Sequence, residues 1–154
     1  MTDLEVRPAS IDDAPGAEPL LDDALERLRA LRGGPALLER LGVPPEIGAP
    51  ALATALCGDA LVGTATLVAT LDGAIVGIAV VVRSAGGVDL LGVHTARSLR
   101  RRRIGTSLLE AARALASTSS DRFEALALPG DQTVKSLLEA AGFRARLLRM
   151  SDDR

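Results

Sequence analysis

The feature of this sequence that most restricts its fold is an apolar stretch at residues 60–82, 23 residues long with a single charge. A stretch of that length could cross a membrane as one helix. Asp72 and Gly73 divide it, however, into runs of 12 and 9 residues that are rich in Val, Ile and Thr. Asp-Gly between apolar runs is a strong hairpin signal, because both residues tolerate the positive φ of a tight turn. The stretch therefore predicts two buried strands, at about 62–70 and 74–83, rather than a transmembrane helix.

Periodicity and turn signals predict the other elements. A short strand at 3–8 precedes a helix that ends at Gly33 and Gly34, and Pro35 and Pro50 each start a shorter helix. The first helix has an apolar face, formed by Leu20, Leu21, Ala24, Leu25, Leu28 and Leu31, and a polar face, formed by Asp22, Asp23, Glu26, Arg27 and Arg29. After the hairpin, the pattern predicts a strand at 88–95, a helix over about 104–116, a strand at 122–128, a helix that Gly142 ends, and a last strand at 145–151.

This order of elements predicts an α/β fold on a mixed sheet. The segment 88–128 would form one parallel β-α-β crossover within it. A chain of 154 residues without repeats or linkers is also the size of one domain, so we predict a single domain over 1–154.

Composition excludes several classes of protein. Cys57 is the only cysteine and His94 the only histidine, which excludes an internal disulfide and any Cys-rich or His-rich metal cluster. We therefore expect no metal. The sequence begins without a secretion signal, and the single cysteine suits a reducing compartment, so we expect a cytoplasmic protein with no membrane partner. The net charge of −2 argues against a nonspecific nucleic-acid binder.

Positive charge is concentrated between the predicted strand at 88–95 and the helix that follows. A helix that starts after a tight loop presents unpaired N–H groups and the positive end of its dipole, which together favour a phosphate-like anion. We expect Gly105 to leave the backbone open to a ligand, and Thr106 and Ser107 to add hydroxyl donors. The backbone cradle would tolerate the side chain of Arg103 if its φ stays negative. The candidate anion-binding residues are Arg100, Arg101, Arg102, Arg103, Ile104, Gly105, Thr106 and Ser107.

This loop and three further motifs resemble the GNAT superfamily of acyl-CoA-dependent N-acyltransferases. The family signature is Gln or Arg, two variable residues, Gly, a variable residue, then Gly or Ala; RRRRIG at 100–105 is similar, with Arg103 in place of the first glycine. DGAIVG at 72–77 resembles the family's hairpin, and VRPASIDDA at 6–14 its opening. DQTVKSLLEAAGF at 131–143 is similar to its C-terminal helix, with Asp131 where Asn is usual.

The resemblance implies a GNAT-like fold and transfer of an acetyl group from acetyl-CoA, as co-substrate, to a primary amine of a small molecule or peptide. The amine would attack directly, without a covalent enzyme intermediate. Backbone groups near Val93 and Thr95, where strands splay in the family, would hold the thioester, and Asp131 would contact the pantetheine arm. Asp131 could instead simply cap the last helix.

Two further features depart from the family pattern. The tyrosine often found four residues before the glycine of "GF" is Leu138 here, and the chain contains no tyrosine. The tail after Phe143 has only 11 residues, so we expect a shortened C-terminal strand region.

Two side chains on the predicted strand at 88–95 are candidate general bases. His94 exchanges protons near neutral pH, and Asp89 could do so if it were desolvated. Each could instead be an ordinary structural residue whose polar groups are hydrogen-bonded or solvated. Cys57 is expected to be a small core residue rather than a nucleophile.

Other functions stay open at this stage. The same fold could be a catalytically silent module that binds or senses acyl-CoA. A nucleic-acid-binding role for the arginine run is disfavoured because no aromatic residues surround it. The sequence leaves the acceptor, the acyl length and a homodimer undecided.

Overall fold

The computed structural model describes residues 3–99, 103–118 and 122–152. Within these ranges the chain forms five strands: β1 (Leu4–Pro8), β2 (Thr64–Leu71), β3 (Ala74–Ser84), β4 (Gly87–Thr95) and β5 (Phe123–Ala125). It also forms five α-helices: α1 (Ala14–Ala30), α2 (Gly34–Leu41), α3 (Ala49–Cys57), α4 (Ile104–Ser117) and α5 (Gln132–Ala140). Short 3₁₀ turns at Ile11–Asp13 and Arg97–Leu99 lead into α1 and out of β4.

The five strands form one mixed sheet in the order β1-β2-β3-β4-β5. The first four pair antiparallel, and β5 lies parallel to β4 after the crossover through α4. The predicted α/β fold with a mixed sheet and one β-α-β crossover is therefore confirmed.

The apolar stretch at 60–82 forms the predicted hairpin of β2 and β3. Asp72 has φ 51° and Gly73 has φ 85°, the paired positive angles of a type I′ turn, and Leu71 lies opposite Ala74. The middle of each strand is buried. No helix in the described ranges is long and apolar enough to cross a membrane.

Alternate residues of the strands build two cores, one on each face of the sheet. Val68 and Ile78 pack with α1, α2 and α3, which cover the first face. Leu67 and Ala79 pack with α4 and α5 on the opposite face. Gly77 lets α4 lie close to the sheet, because a Cβ there would be 2.8 Å from side-chain atoms of both Ile104 and Leu108.

The C-terminal region differs from the prediction. Residues 145–151 form no strand, and the predicted strand at 122–128 is regular only over Phe123–Ala125. A three-residue strand offers a very short edge for pairing, and the tail leaves Leu147 89% exposed. A lone tail strand without a second strand to pack against would bury too little apolar surface to be ordered.

Candidate active site

A cleft opens in the sheet where β4 and β5 separate. The two strands pair from Val88 to Leu90, and the last bond joins the Leu126 N–H to the Leu90 carbonyl at 3.0 Å. Beyond it β4 continues to Thr95, whereas the chain after Leu126 turns away. On its other edge this part of β4 still pairs with β3, with Val93 opposite Ala79. The edge facing the cleft therefore has backbone groups without a strand partner among the described residues, and these can bind a ligand.

A β-bulge bends β4 at the start of this cleft. Val80 lies opposite Gly92 and Val81 opposite Leu90, so Leu91 is the extra residue. Such a bulge kinks its strand and re-aims the side chains that follow. Val93 consequently belongs to the core on the α4 side, while His94 lies on the face covered by α1.

The N-terminus of α4 lies just beyond the end of β4. The Ser107 N–H donates to the Arg103 carbonyl at 3.0 Å, so the N–H groups of Ile104, Gly105 and Thr106 precede the first intrahelical bond. The Ile104 side chain is buried in the core, which leaves only its backbone for a ligand. Thr106 and Ser107 are half-buried in the first turn. Arg100, Arg101 and Arg102 lie outside the described residues.

Arg103 does not meet the condition of a negative φ that the sequence-based prediction set for an intact backbone cradle. Its φ is 62° and its ψ is 17°, which is left-handed backbone at the position preceding α4. This is the conformation that glycine adopts without strain, and it explains why the family signature has glycine there. The exposed Arg103 side chain keeps its charge beside the helix N-terminus.

Gly105 makes room for a neighbouring helix. A Cβ at this position would lie 3.2 Å from Cδ2 of Leu137 and 3.9 Å from Cγ2 of Thr95. The space that we expected to be open to a ligand is therefore occupied by α5. The backbone N–H of Gly105 stays a candidate ligand group.

His94 is buried and paired with a carboxylate from α1. Its Nε2 lies 3.0 Å from Oδ2 of Asp23, and the other oxygen of Asp23 lies 3.2 Å from the Arg97 guanidinium. The periodicity of α1 placed Asp23 on the polar face of the helix, where a side chain is usually solvated. In the structure its carboxylate instead contacts His94 and Arg97. The contact places a proton-exchanging imidazole and a stabilising charge together beside the cleft.

Asp89, the second candidate base, forms an ion pair with Arg40 of α2. Its side chain is 4% exposed, and Oδ2 accepts a hydrogen bond from the Arg40 guanidinium. Oδ1 is buried without a hydrogen-bond partner among the described residues. A buried carboxylate needs a counter-charge, so this pair fastens α2 to β4.

Asp131 caps the N-terminus of α5. This was one of the two roles that the sequence left open for it. Its Oδ1 accepts a hydrogen bond from the Val134 N–H at 3.3 Å and another from the Arg27 guanidinium of α1. The same oxygen therefore joins two helices near the cleft. A contact between Asp131 and a pantetheine arm stays a prediction.

A cavity of about 140 Å³ lies between the cleft and the helices over the first face. Its wall is largely leucine from α1, α2 and α3 together with β3, β4 and the chain after β5. His94, Arg27 and Asp131 are the charged or titratable side chains in this wall.

Cys57 has no part in this cavity wall. It is the last residue of α3 and is 4% exposed in the core, as predicted. Burial, with a smaller contribution from the charge of Asp13, raises the pKa of its thiol. The thiol is therefore neutral at physiological pH and a poor nucleophile.

Solved structures match the whole chain. Ribosomal-protein-alanine N-acetyltransferase from Brucella melitensis biovar Abortus 2308 has a TM-score of 0.71 and 16% identity over 100% of both chains. Aminoglycoside N-acetyltransferase AAC(6')-Iy, solved in complex with CoA, has a TM-score of 0.69 and 16% identity over 100% of this chain and 97% of that one. The fold is that of the GNAT N-acetyltransferases.

AAC(6')-Ih from Acinetobacter baumannii agrees, with a TM-score of 0.65 and 16% identity over 99% of both chains. No family model matches the sequence. No curated protein matches it significantly.

Leucine occupies the position where the resemblance of the C-terminal helix to the GNAT family implies a tyrosine. Leu138 is 6% exposed and packs in the core between α4, α5 and the sheet. It can neither donate a proton nor reach the cleft as a polar group. The expected shortening of the C-terminal strand region is also present, since no strand follows β5 in the described part of the chain.

Sequence reasoning missed three site residues and one feature of the strand. Asp23 and Arg27, one helical turn apart in α1, bind His94 and Asp131, and Arg40 binds Asp89. Their sequence signal was weak: Asp23 and Arg27 flank the apolar face beside Ala24 and Leu28. The missed feature of the strand is the bulge, which Gly92 could have indicated because an isolated glycine inside a strand often marks one.

Proposed function

We propose that the protein transfers an acyl group from an acyl-CoA thioester to a primary amine of a small molecule or peptide. The observation that carries this proposal is the separation of β4 from β5 directly beside the N-terminus of α4. The names of the matched structures, which include a ribosomal-protein-alanine and an aminoglycoside acetyltransferase, support amine acceptors of this kind.

In this proposal the backbone binds most of the donor. The edge of β4 beyond its pairing with β5, at Leu91 to Val93 and at Thr95, hydrogen-bonds the pantetheine arm as an added strand would. The first N–H groups of α4 and the positive end of its dipole bind the pyrophosphate. A β4 N–H aimed at the thioester oxygen would stabilise the negative charge that develops there.

His94 is the general base that this geometry favours. It lines the cavity beside the cleft, whereas Asp89 does not line it and binds Arg40. The amine nitrogen attacks the thioester carbon and gives its proton to the imidazole, directly or through water. Asp23 stabilises the imidazolium that forms. Collapse of the tetrahedral intermediate breaks the carbon–sulfur bond, and CoA leaves as a thiolate.

Protonation of that thiolate needs no tyrosine. A thiol has a pKa about two units below that of an alkylammonium group, so the thiolate can leave unprotonated and take its proton from water. Leu138, buried at the position of the usual tyrosine, is consistent with this route.

Two successive measurements test the proposal. CoA at a hundredfold excess over its dissociation constant should raise the melting midpoint by about 5 to 10 °C. Thiol release from an acyl-CoA should then depend on an added amine. No shift with CoA or any acyl-CoA would refute donor binding, and a shift without thiol release across a broad amine panel would refute catalysis.

The role of His94 has a test of its own. His94→Gln should lower kcat about 10²-fold to 10⁴-fold and leave the melting shift with CoA unchanged, because the base acts only in the reaction. Arg97→Gln is the matched control, since Arg97 touches the other oxygen of Asp23 and is 64% exposed. It should change kcat by less than about threefold. An unchanged kcat in His94→Gln would remove His94 from the mechanism.

A second candidate function is a silent acyl-CoA-binding module. The buried leucine at position 138 favours it, because it deprives the site of a side-chain acid. This module would show the melting shift with CoA and no thiol release with any amine.

A further inference from the structure

The cavity beside the cleft is lined mostly by apolar side chains. Leu21 and Leu25 of α1 and Leu52 and Leu56 of α3 are among them, and all four are at most 5% exposed. A cavity with such a wall holds water poorly, because water there has no polar partners. An apolar group that fills it would gain the full benefit of burial.

Gly92 connects this cavity with the strand that borders the cleft. A Cβ added to Gly92 would meet no atom within 4 Å, although the glycine lies in the interior of β4. Gly92 and His94 both line the cavity. The cavity therefore reaches Gly92, which follows the bulge in β4 and lies next to the proposed position of the thioester.

The charges around the cavity are already paired. Asp131 binds Arg27, His94 binds Asp23, and Asp89 beside the cavity binds Arg40. A polycationic group entering the cavity would have to displace these arginines or remain without a counter-charge. The cavity thus suits an apolar group and disfavours a polyamine.

We infer that the donor of this enzyme carries an apolar acyl group of about four to six carbons, whose tail fills this cavity. The inference rests on the proposed function and specifies its substrate. An acyl tail is attached to the carbon held at β4, so its first carbons must lie at Gly92. An engineered cavity of about 150 Å³ lined by Leu, Ile and Phe binds benzene, so a cavity of about 140 Å³ has room for about six carbons.

The test is the affinity of the unaltered protein for CoA, acetyl-CoA, butyryl-CoA, hexanoyl-CoA and decanoyl-CoA, measured by calorimetry without an acceptor. Affinity should rise about threefold to fourfold for each methylene added between acetyl and hexanoyl, as expected for burial of apolar surface. Decanoyl-CoA should bind no more tightly than hexanoyl-CoA.

A cavity-filling variant locates the effect. Val80 lines the cavity and lies opposite Gly92, so the phenyl ring of Val80→Phe would cover the glycine. This variant should bind acetyl-CoA and hexanoyl-CoA with similar affinity. Val82→Phe is the control, because Val82 is equally half-buried on the same strand but lies outside the cavity wall. It should keep the preference for the longer chain.

The outcomes separate the two proposals. Equal affinity for acetyl-CoA and hexanoyl-CoA in the unaltered protein would overturn the acyl-chain inference and leave the proposed function intact. Stabilisation by hexylamine only in the presence of CoA, with no chain-length preference, would overturn it too, by assigning the cavity to the acceptor. Failure to bind any CoA compound would refute the proposed function itself.

Discussion

Single residues around the cleft hold the helices over the separated end of the sheet. Each carboxylate beside the cavity is paired with a cationic or titratable side chain from another element: Asp23 with His94, Asp89 with Arg40, and Asp131 with Arg27. Separating strands leaves fewer backbone bonds to fix the sheet, and these side-chain contacts replace part of that constraint. Among them, Asp89 joins α2 to β4 and His94 lines the cavity.

Arg103 is a residue whose replacement should increase stability. Its φ of 62° places an L-residue in the left-handed region, which costs about 1 kcal/mol relative to glycine. Arg103→Gly should therefore raise the free energy of unfolding by about 0.5 to 1 kcal/mol, measured by urea denaturation.

Arg103→Ala is the matched control for this change. It removes the same charge but keeps the Cβ, so it should not increase stability. Equal stabilisation by alanine and glycine would show that charge, and not backbone strain, limits stability at this position.

At the scale of elements, an ion pair joins the first strand to the start of α1. The two terminal nitrogens of the Arg7 guanidinium each donate to the carboxylate of Asp13 at 2.8 Å, and the Ser10 N–H donates to the same carboxylate at 2.8 Å. The hydrogen bond from Arg7 is the main cause that lowers the pKa of Asp13 from 3.8 to about 2. The ionised form is thus favoured in the folded protein.

This pair predicts a pH-dependent stability. Because the folded pKa of Asp13 is depressed, its contribution is complete above the unfolded pKa and is lost as the pH falls toward 2. Asp13→Asn should lower the free energy of unfolding at pH 7 by about 1 to 2 kcal/mol, allowing for the solvent around Arg7. The difference from the unaltered protein should shrink between about pH 5 and pH 2.

Denaturant unfolding at pH 7, 5 and 3 measures this difference. Asp12→Asn, at the exposed neighbouring position, is the control and should change stability by less than about 0.5 kcal/mol at each pH. A constant difference between Asp13→Asn and the unaltered protein over this range would contradict the assigned pKa shift.

Local turn chemistry explains which elements could be predicted from the sequence. Asp72-Gly73 set the hairpin, and Gly142, with φ 92°, ends α5 as its position indicated. Each signal acts within a few residues and needs no knowledge of the fold. The length of β5 could not be predicted in this way. Its pairing with β4 ends at Leu90, next to the bulge in β4, and that bulge depends on how β4 pairs with β3.

At the scale of the whole molecule, the site depends on contacts between distant segments. His94 and Asp23 are 71 residues apart in the chain, and Arg27 and Asp131 are 104 residues apart. Helical periodicity assigned Asp23 and Arg27 to the polar face of α1. It could not show that the edge of this face lies over β4, since that requires the packing of α1 on the finished sheet. The loop at 100–107 could be proposed as an anion-binding site from the sequence because its glycine, hydroxyls and arginines are adjacent there.

The aromatic side chain of Phe143 packs the segment after α5 against the rest of the molecule. The ring of Phe143 meets that of Phe123 edge to face, with centroids 5.7 Å apart, and the Arg113 guanidinium carbon lies 5.2 Å from its centroid. These contacts tie the segment after α5 to both β5 and α4. Beyond them the described tail is exposed.

Loss of this aromatic contact should therefore destabilise the whole domain. Phe143→Ala should lower the free energy of unfolding by about 2 kcal/mol, because it removes a half-buried ring with its aromatic and cation–π partners. Leu147→Ala, at a position 89% exposed, is the control and should change it by less than about 0.5 kcal/mol. Urea denaturation of both variants measures the difference. If Leu147→Ala were as costly as Phe143→Ala, the tail would have to pack against the molecule in solution, and β5 would be the nearest edge available to it.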